Sequence, residues 1–217
     1  MSVEREKQAA AEAAAELVKH GMTIGLGTGS TVAFLLPALA KRSLDILCAA
    51  TSPRTEQAAR DLGLRIEPVA SIDRFDLTID GADQIAPDGW LVKGGGAAHT
   101  REKIVAGAAD RFVVIADSTK PVPALRPPVP LELLSFGLAA TIRRIGHVSL
   151  RDVPPSPDGG VIADYRGPAD DPGALAAWLS AMPGVVEHGL FPPEMVATVI
   201  VGREGSVERI DFDHDAS

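Results

Sequence analysis

Short apolar runs alternate with helix-forming stretches through the first half of this chain, and that alternation constrains the fold more than any other feature. Residues 22–26, 44–50, 64–67, 75–80, 90–93 and 111–116 read as strands. Residues 5–20, 51–62 and 100–109 read as helices, as does the stretch running to Lys41. Gly21 is placed to end the first helix. Strands that alternate with helices pair in parallel, and both faces of the resulting sheet are covered. The texture changes at Pro121. Pro121, Pro123, Pro127, Pro128 and Pro130 mark a crossing between units. Beyond them the pattern is mixed. Residues 138–145 and 172–182 read as helices, the second started by Asp170 or Asp171. Residues 147–151, 160–165 and 185–190 read as strands, with a loop over 154–160. This predicts a small antiparallel α+β unit over 127–192. Residues 196–201 and 207–212 are expected to rejoin the first unit, so that 1–126 and 193–217 form one domain.

Composition narrows the function classes. The chain is 46% apolar and 23% charged, which predicts a globular fold. Its apolar runs are far shorter than the ~18 residues of a membrane span, and its charged N-terminus lacks a signal-peptide core. A single cysteine, Cys48, suits a reducing cytoplasm and reads as a small buried hydrophobe rather than a nucleophile. A net charge of −8 argues against nucleic acid as a partner. The histidines at 20, 99, 147, 188 and 214 are scattered, so no metal site is expected.

Four loops carry ligand-type chemistry, and each follows the carboxyl end of an expected strand. Open parallel sheets bind their ligands there. Lys93 precedes Gly94, Gly95 and Gly96, and Glu102 follows within an Ala-rich helix. Consecutive glycines pack nothing, but they let main-chain N–H groups approach an anion. A cation before such a loop and a carboxylate after it suggest an oxyanion clamp and a base. Glu102 equally suits a helix N-terminus electrostatically. Gly27, Thr28, Gly29, Ser30 and Thr31 suit a phosphate or sugar hydroxyls, or form a tight turn with Ser30 as N-cap. They match neither the Walker loop nor the dinucleotide fingerprint. Asp80 and Asp83 flank Gly81 and Ala82. They suit either an Asx turn or a carboxylate pair that binds hydroxyls and shuttles a proton. Lys120, after Asp117, is a ligand contact or a surface lysine.

Taken together, these motifs resemble type A ribose-5-phosphate isomerase. The matching segments are 25–31, Thr51 and Ser52 with Thr55 and Glu56, 80–83, 93–98, 100–103, Ala116 and Asp117 with Lys120, 183–186 and 189–191. They occur in the family's order and span nearly the whole chain. The resemblance implies a Rossmann-like, mostly parallel sheet with helices on both faces, plus a small ferredoxin-like α+β domain. It implies a cofactor-free aldose–ketose isomerase of the pentose phosphate pathway, a phosphosugar as the small-molecule partner, and a homodimer or homotetramer. By position, Glu102 matches the proton acceptor. The chemistry of isomerisation adds Lys93 as oxyanion donor and Asp80 or Asp83, with a water, for ring opening. Thr28 to Thr31, Asp80 to Asp83, Lys93 to Gly96 and Lys120 match substrate contacts. Lys7 aligns with a lysine of the opening helix. Gln84 replaces a glutamate, His99 replaces a small or aliphatic residue, and the turn over 156–160 is altered. Two alternatives stand beside this reading: an isomerase of another phosphosugar, suggested by Gln84 and His99, or a non-catalytic sugar-phosphate sensor on a related fold.

Overall fold

The computed structural model describes residues 2–212. In chain order the elements are α1 (Val3–Ala15), β1 (Thr23–Leu26), α2 (Val32–Lys41), β2 (Leu47–Ala50), α3 (Pro53–Asp61), β3 (Arg65–Ile66), β4 (Leu77–Gly81), β5 (Gln84–Ile85) and β6 (Leu91–Val92). Then come α4 (His99–Gly107), β7 (Phe112–Asp117), β8 (Val129–Leu133), α5 (Leu138–Ile145), β9 (Val148–Leu150), β10 (Val161–Tyr165), α6 (Pro172–Ser180), β11 (Val185–His188), β12 (Leu190–Phe191), β13 (Thr198–Arg203) and β14 (Ser206–Asp211). They divide into two compact units. The first comprises Met1–Ala82, Arg101–Lys120 and Glu194–Ser217, and the second Asp83–Thr100 and Pro121–Pro193. Residues 83–100 and 121–126 thus group with the second unit, whereas the proline cluster alone suggested a break at 126–127.

The first unit is built on a seven-stranded sheet of order β14-β13-β7-β4-β1-β2-β3, parallel except where β14 pairs antiparallel with β13. The chain steps outward from β1 to β2 and β3, then returns to lay β4 on the other side of β1. That reversal is the switch point at which open α/β sheets bind ligands. Alternation along the strands sends Ile24, Leu26, Leu77 and Ile79 into one core with Ala10, Ala11 and Ala14 of α1 and Leu35 and Leu39 of α2. The alanines let α1 lie close to the sheet. On the opposite face Ala49 and Phe75 pack with Val105 of α4. Gly25 points to that face, where a Cβ would overlap Thr78 Oγ1 and Val105 Cγ1. Helix α1 ends at Ala15, well short of the expected residue 20. Its chain tightens there: the Leu17 and Val18 N–H groups donate to Ala14 O and Ala15 O, and the Arg42 guanidinium caps the Ala15 and Val18 carbonyls. Ser52 caps α3 by accepting from Thr55 N at 3.2 Å, with Pro53 in the first turn.

The second unit contains a four-stranded antiparallel sheet of order β11-β8-β10-β9, with α5 and α6. The succession β8-α5-β9-β10-α6-β11 with that order is the ferredoxin-like arrangement. Its core joins Leu131 and Leu133 of β8, Ala163 of β10, Ile145 of α5, and Leu175 and Leu179 of α6. Strand β8 was not anticipated, because it contains Pro130 and follows Pro127 and Pro128. Proline is rare in central strands because it lacks a donor. Here the Pro130 carbonyl still accepts from Gly189 N at 2.8 Å. Strand β5 was also missed, and β12 was expected only as the end of a single strand over 185–190. With β6 they form a three-stranded antiparallel sheet. This corrects the expectation of four loops on one parallel edge: three follow β1, β4 and β7, which lie side by side, and the glycine run follows β6 of the separate sheet.

Candidate active site

In the first unit the loop after β1 is tied to the end of β4. The Asp80 side chain is 1% exposed, and its Oδ1 accepts from Thr28 N at 3.0 Å and Gly81 N at 2.7 Å. Two N–H donors make a buried carboxylate tolerable. Gly27 must be glycine here, because a Cβ would overlap the Asp80 carboxylate. Gly29 has φ +135, which favours glycine. Thr28 Oγ1 lies 2.8 Å from the hydroxyl of Thr51, which is buried at the end of β2. Ser30 does not cap α2. The cap residue is Thr31, which makes no side-chain cap bond, and the Ser30 hydroxyl instead accepts from Lys7 Nζ at 2.9 Å. Lys7 Nζ also lies 4.0 Å from Asp117 Oδ2, at the end of β7. One residue before Lys7 on α1, the Glu6 carboxylate accepts from Ser118 N at 3.0 Å and Ser118 Oγ at 2.6 Å. Those two hydrogen bonds hold its pKa below the ordinary glutamate range. Helix α1 therefore fixes the β7 loop that leads to Lys120, whose N–H donates to Asp117 O at 3.2 Å. The structure gathers Lys7, Thr28, Ser30, Asp80 and Asp117 around the ends of β1, β4 and β7. Glu102 belongs to the same unit, in the first turn of α4, and is 3% exposed.

In the second unit the Lys93 side chain is 2% exposed, with Nζ 5.4 Å from the ring centre of Phe191 on β12. The loop that follows is a turn closed by the Ala97 N–H on Gly94 O at 3.1 Å. Gly94 has φ +107, and a Cβ there would sit 2.8 Å from His99 Nδ1 and from Pro130 Cβ. The Gly95 N–H donates to Asp83 Oδ2 at 2.7 Å. Of the amides expected to meet a ligand oxygen, Gly95 is therefore already engaged by a residue expected to touch the substrate. His99 is fully buried, with Nε2 3.4 Å from Glu187 O. The Gln84 amide spans the backbone of Arg126, donating to its carbonyl at 2.7 Å and accepting from its N–H at 2.8 Å. Both departures from the family pattern thus bond to main chain within this unit.

Several supporting residues escaped sequence reasoning. Glu132 of β8, 2% exposed, accepts from the hydroxyls of Thr100 in α4 and Ser156 in the altered turn. Ser156 Oγ in turn accepts from Gly160 N at 3.0 Å and Asp158 N at 3.2 Å. Glu132 lies in β8, whose prolines hid the strand, so its burial carried no signal in the sequence. Arg151 and Asp164, which form an ion pair at 2.6 Å, carried none either. Among the described residues no group of histidines, cysteines and carboxylates is arranged to hold a metal ion. No helix there is long and apolar enough to cross a membrane.

The parallel sheet, with its strand order reversing beside β1, places the first unit in the α/β class whose enzymes bind small ligands at that switch point. The family model for ribose 5-phosphate isomerase A (phosphoriboisomerase A) matches residues 47–206. A model for the DeoR C-terminal sensor domain matches the shorter stretch 2–60. A relative from Caulobacter vibrioides, ribose-5-phosphate isomerase A, is 44% identical over 97% of this chain and 99% of its own length. The crystal structure of ribose 5-phosphate isomerase A from Neisseria gonorrhoeae superposes with a TM-score of 0.92 at 31% identity, covering 97% of each chain. A D-ribose-5-phosphate isomerase in complex with phospho-erythronic acid superposes with a TM-score of 0.92 at 33% identity, over 98% of this chain and 100% of that one. The chain belongs to the ribose 5-phosphate isomerase A family.

Proposed function

We propose that this protein interconverts D-ribose 5-phosphate and D-ribulose 5-phosphate through a cis-enediol, with Glu102 carrying the proton. One observation supports the assignment above the others: a carboxylate only 3% exposed sits in the first turn of the helix that directly follows the Lys93–Gly96 segment. Glu102 removes the C2 proton of the open-chain aldose, the C–H electron pair enters the C1–C2 bond, and negative charge develops on O1. A proton shift from O2 to O1 moves the charge to O2. Return of the proton from Glu102 to C1 then yields the ketose. Lys93 and the Gly96 N–H stabilise the oxyanion, which exists only along the reaction path and so lowers the barrier. Asp80 or Asp83 transfers the proton needed to open the furanose ring. The phosphate binds Lys7, Ser30 and the Thr31 end of α2, where N–H groups favour an anion, with Lys120 as a further contact. That remote anchor holds C1 and C2 in register.

The reading includes no cofactor, a place in the non-oxidative pentose phosphate branch, a cytoplasmic location and a homodimer or homotetramer. Family membership supports each of these. Gln84 and His99 bond to main chain within the second unit, which supports ribose 5-phosphate over another phosphosugar. The sensor alternative predicts binding without turnover. The decisive assay is turnover of ribose 5-phosphate by wild type and Glu102→Gln. General-base catalysis is worth roughly 10²–10⁴-fold, so the variant should lose at least about 10²-fold in kcat while remaining folded. Near-normal kcat would remove Glu102 from the mechanism. Phospho-erythronic acid should compete with ribose 5-phosphate.

A further inference from the structure

Arg151 directly follows β9, 57 residues from Gly94 in sequence, yet its guanidinium reaches the glycine run. Nη1 donates to Gly94 O at 2.8 Å and lies 3.4 Å from Gly95 O. Nε and Nη2 donate to Asp164 Oδ1 on β10 at 3.0 and 2.6 Å. The Arg151 side chain is 17% exposed and that of Asp164 is 10% exposed. Arg166 stands behind them, with Nη2 3.7 Å from Asp164 Oδ2.

A trans peptide points its C=O and the next N–H in opposite directions. The peptide joining Gly94 to Gly95 is therefore gripped at both ends. Its oxygen accepts from Arg151, and its N–H donates to Asp83. The next peptide has its oxygen turned toward Arg151, so the Gly96 N–H is directed away from it. Three glycines have no side chains to hold such an orientation, and their backbone entropy opposes it. A cation on the carbonyl side also polarises the peptide and strengthens its N–H as a donor.

We propose that Arg151, held by Asp164, is a positioning residue for the isomerase reaction: it sets and polarises the Gly94–Gly96 peptides so that Gly96 N–H meets the developing oxyanion. This rests on the isomerase reading above. A preorganised donor acts on the transition state rather than the ground state, so its loss falls on kcat.

The test compares wild type with Arg151→Ala and Arg151→Lys. Arg151→Lys keeps the charge but cannot engage Asp164 and both carbonyls at once, and it guards against misfolding of the alanine variant. Misplacing a catalytic donor by about 1 Å costs about 10²-fold, so Arg151→Ala should lose about that much kcat with KM little changed. Guanidinium ion at low, non-denaturing concentration should restore part of the Arg151→Ala rate. Amide hydrogen exchange at Gly95 should be faster in both variants, with the rest of the chain unchanged. A folded variant with wild-type kcat overturns the proposal whatever the exchange shows, as does a loss confined to KM. If the wild type does not turn over ribose 5-phosphate, the functional reading fails separately. The exchange measurement then still decides the clamp, and unchanged Gly95 exchange overturns it.

Discussion

Asp80 occupies the space that a side chain at position 27 would need, and it binds the backbone on both sides of the gap. Gly27→Ala would drive a methyl group into a buried carboxylate that is already bonded to Thr28 N and Gly81 N. Overpacking at such a site costs typically about 1–3 kcal/mol, so the variant should show a lower urea midpoint at unchanged m-value. The Thr28–Asp80 bond should fail with it, and activity should fall more than stability alone explains. In the sequence, Gly27 was visible as part of a ligand-type loop. Its partner was not, because 52 residues separate Thr28 from Asp80 and only strand pairing brings them together. Lys7 is similar: family resemblance pointed to it, but its bond to Ser30 depends on how α1 lies over the sheet.

At the scale of elements, the turn over residues 156–160 stands on a buried glutamate. Ser156 donates to Glu132, Glu132 also receives Thr100, and Gly160 is required because a Cβ would overlap the Glu132 carboxylate. The altered turn is thus linked, through β8, to the first turn of α4. Ser156→Ala removes one donor from a buried carboxylate, and hydrogen bonds to charged groups contribute roughly 1.5–3 kcal/mol. We expect a destabilisation of that size by urea titration. Ser156→Thr, which keeps the hydroxyl, should recover most of it. Elements with clear periodicity or end signals were legible: α5 was expected over the residues it occupies, and α6 is capped by Asp171, one of the two residues expected to start it, which accepts from Ala174 N at 2.9 Å. Strand β8 was not legible. Its prolines carry the local signature of a linker, and what makes it a central strand is pairing with β10 on one side and β11 on the other.

For the molecule as a whole, three titrating groups contribute to the dependence of stability on pH. Hydrogen bonds from Ser118 lower the Glu6 pKa, and hydrogen bonds from Arg209 and Thr198 lower that of Asp211. A depressed carboxylate pKa stabilises the fold above the unfolded-state value of about 4 and loses that contribution as pH falls through the folded value. Stability should therefore decline below about pH 4, and Glu6→Gln should flatten that decline. Burial in β2 pushes the Cys48 thiol up to about 12. A raised pKa acts with the opposite sign: its contribution is complete below the unfolded thiol value of about 8.5 and is lost as pH rises toward the folded one. Cys48→Ala should reduce the alkaline loss, read from urea midpoints between neutral pH and pH 11. The amino-acid sequence by itself determined the α/β class, the α+β character of the second unit and the loops rich in ligand chemistry. Each is written in local periodicity, in turn residues or in short motifs that resemble a family. Tertiary structure alone decided which strand stands beside which, why particular positions must be glycine, and which buried charges hold the loops. Those depend on contacts between residues far apart in the chain, and no local pattern encodes them.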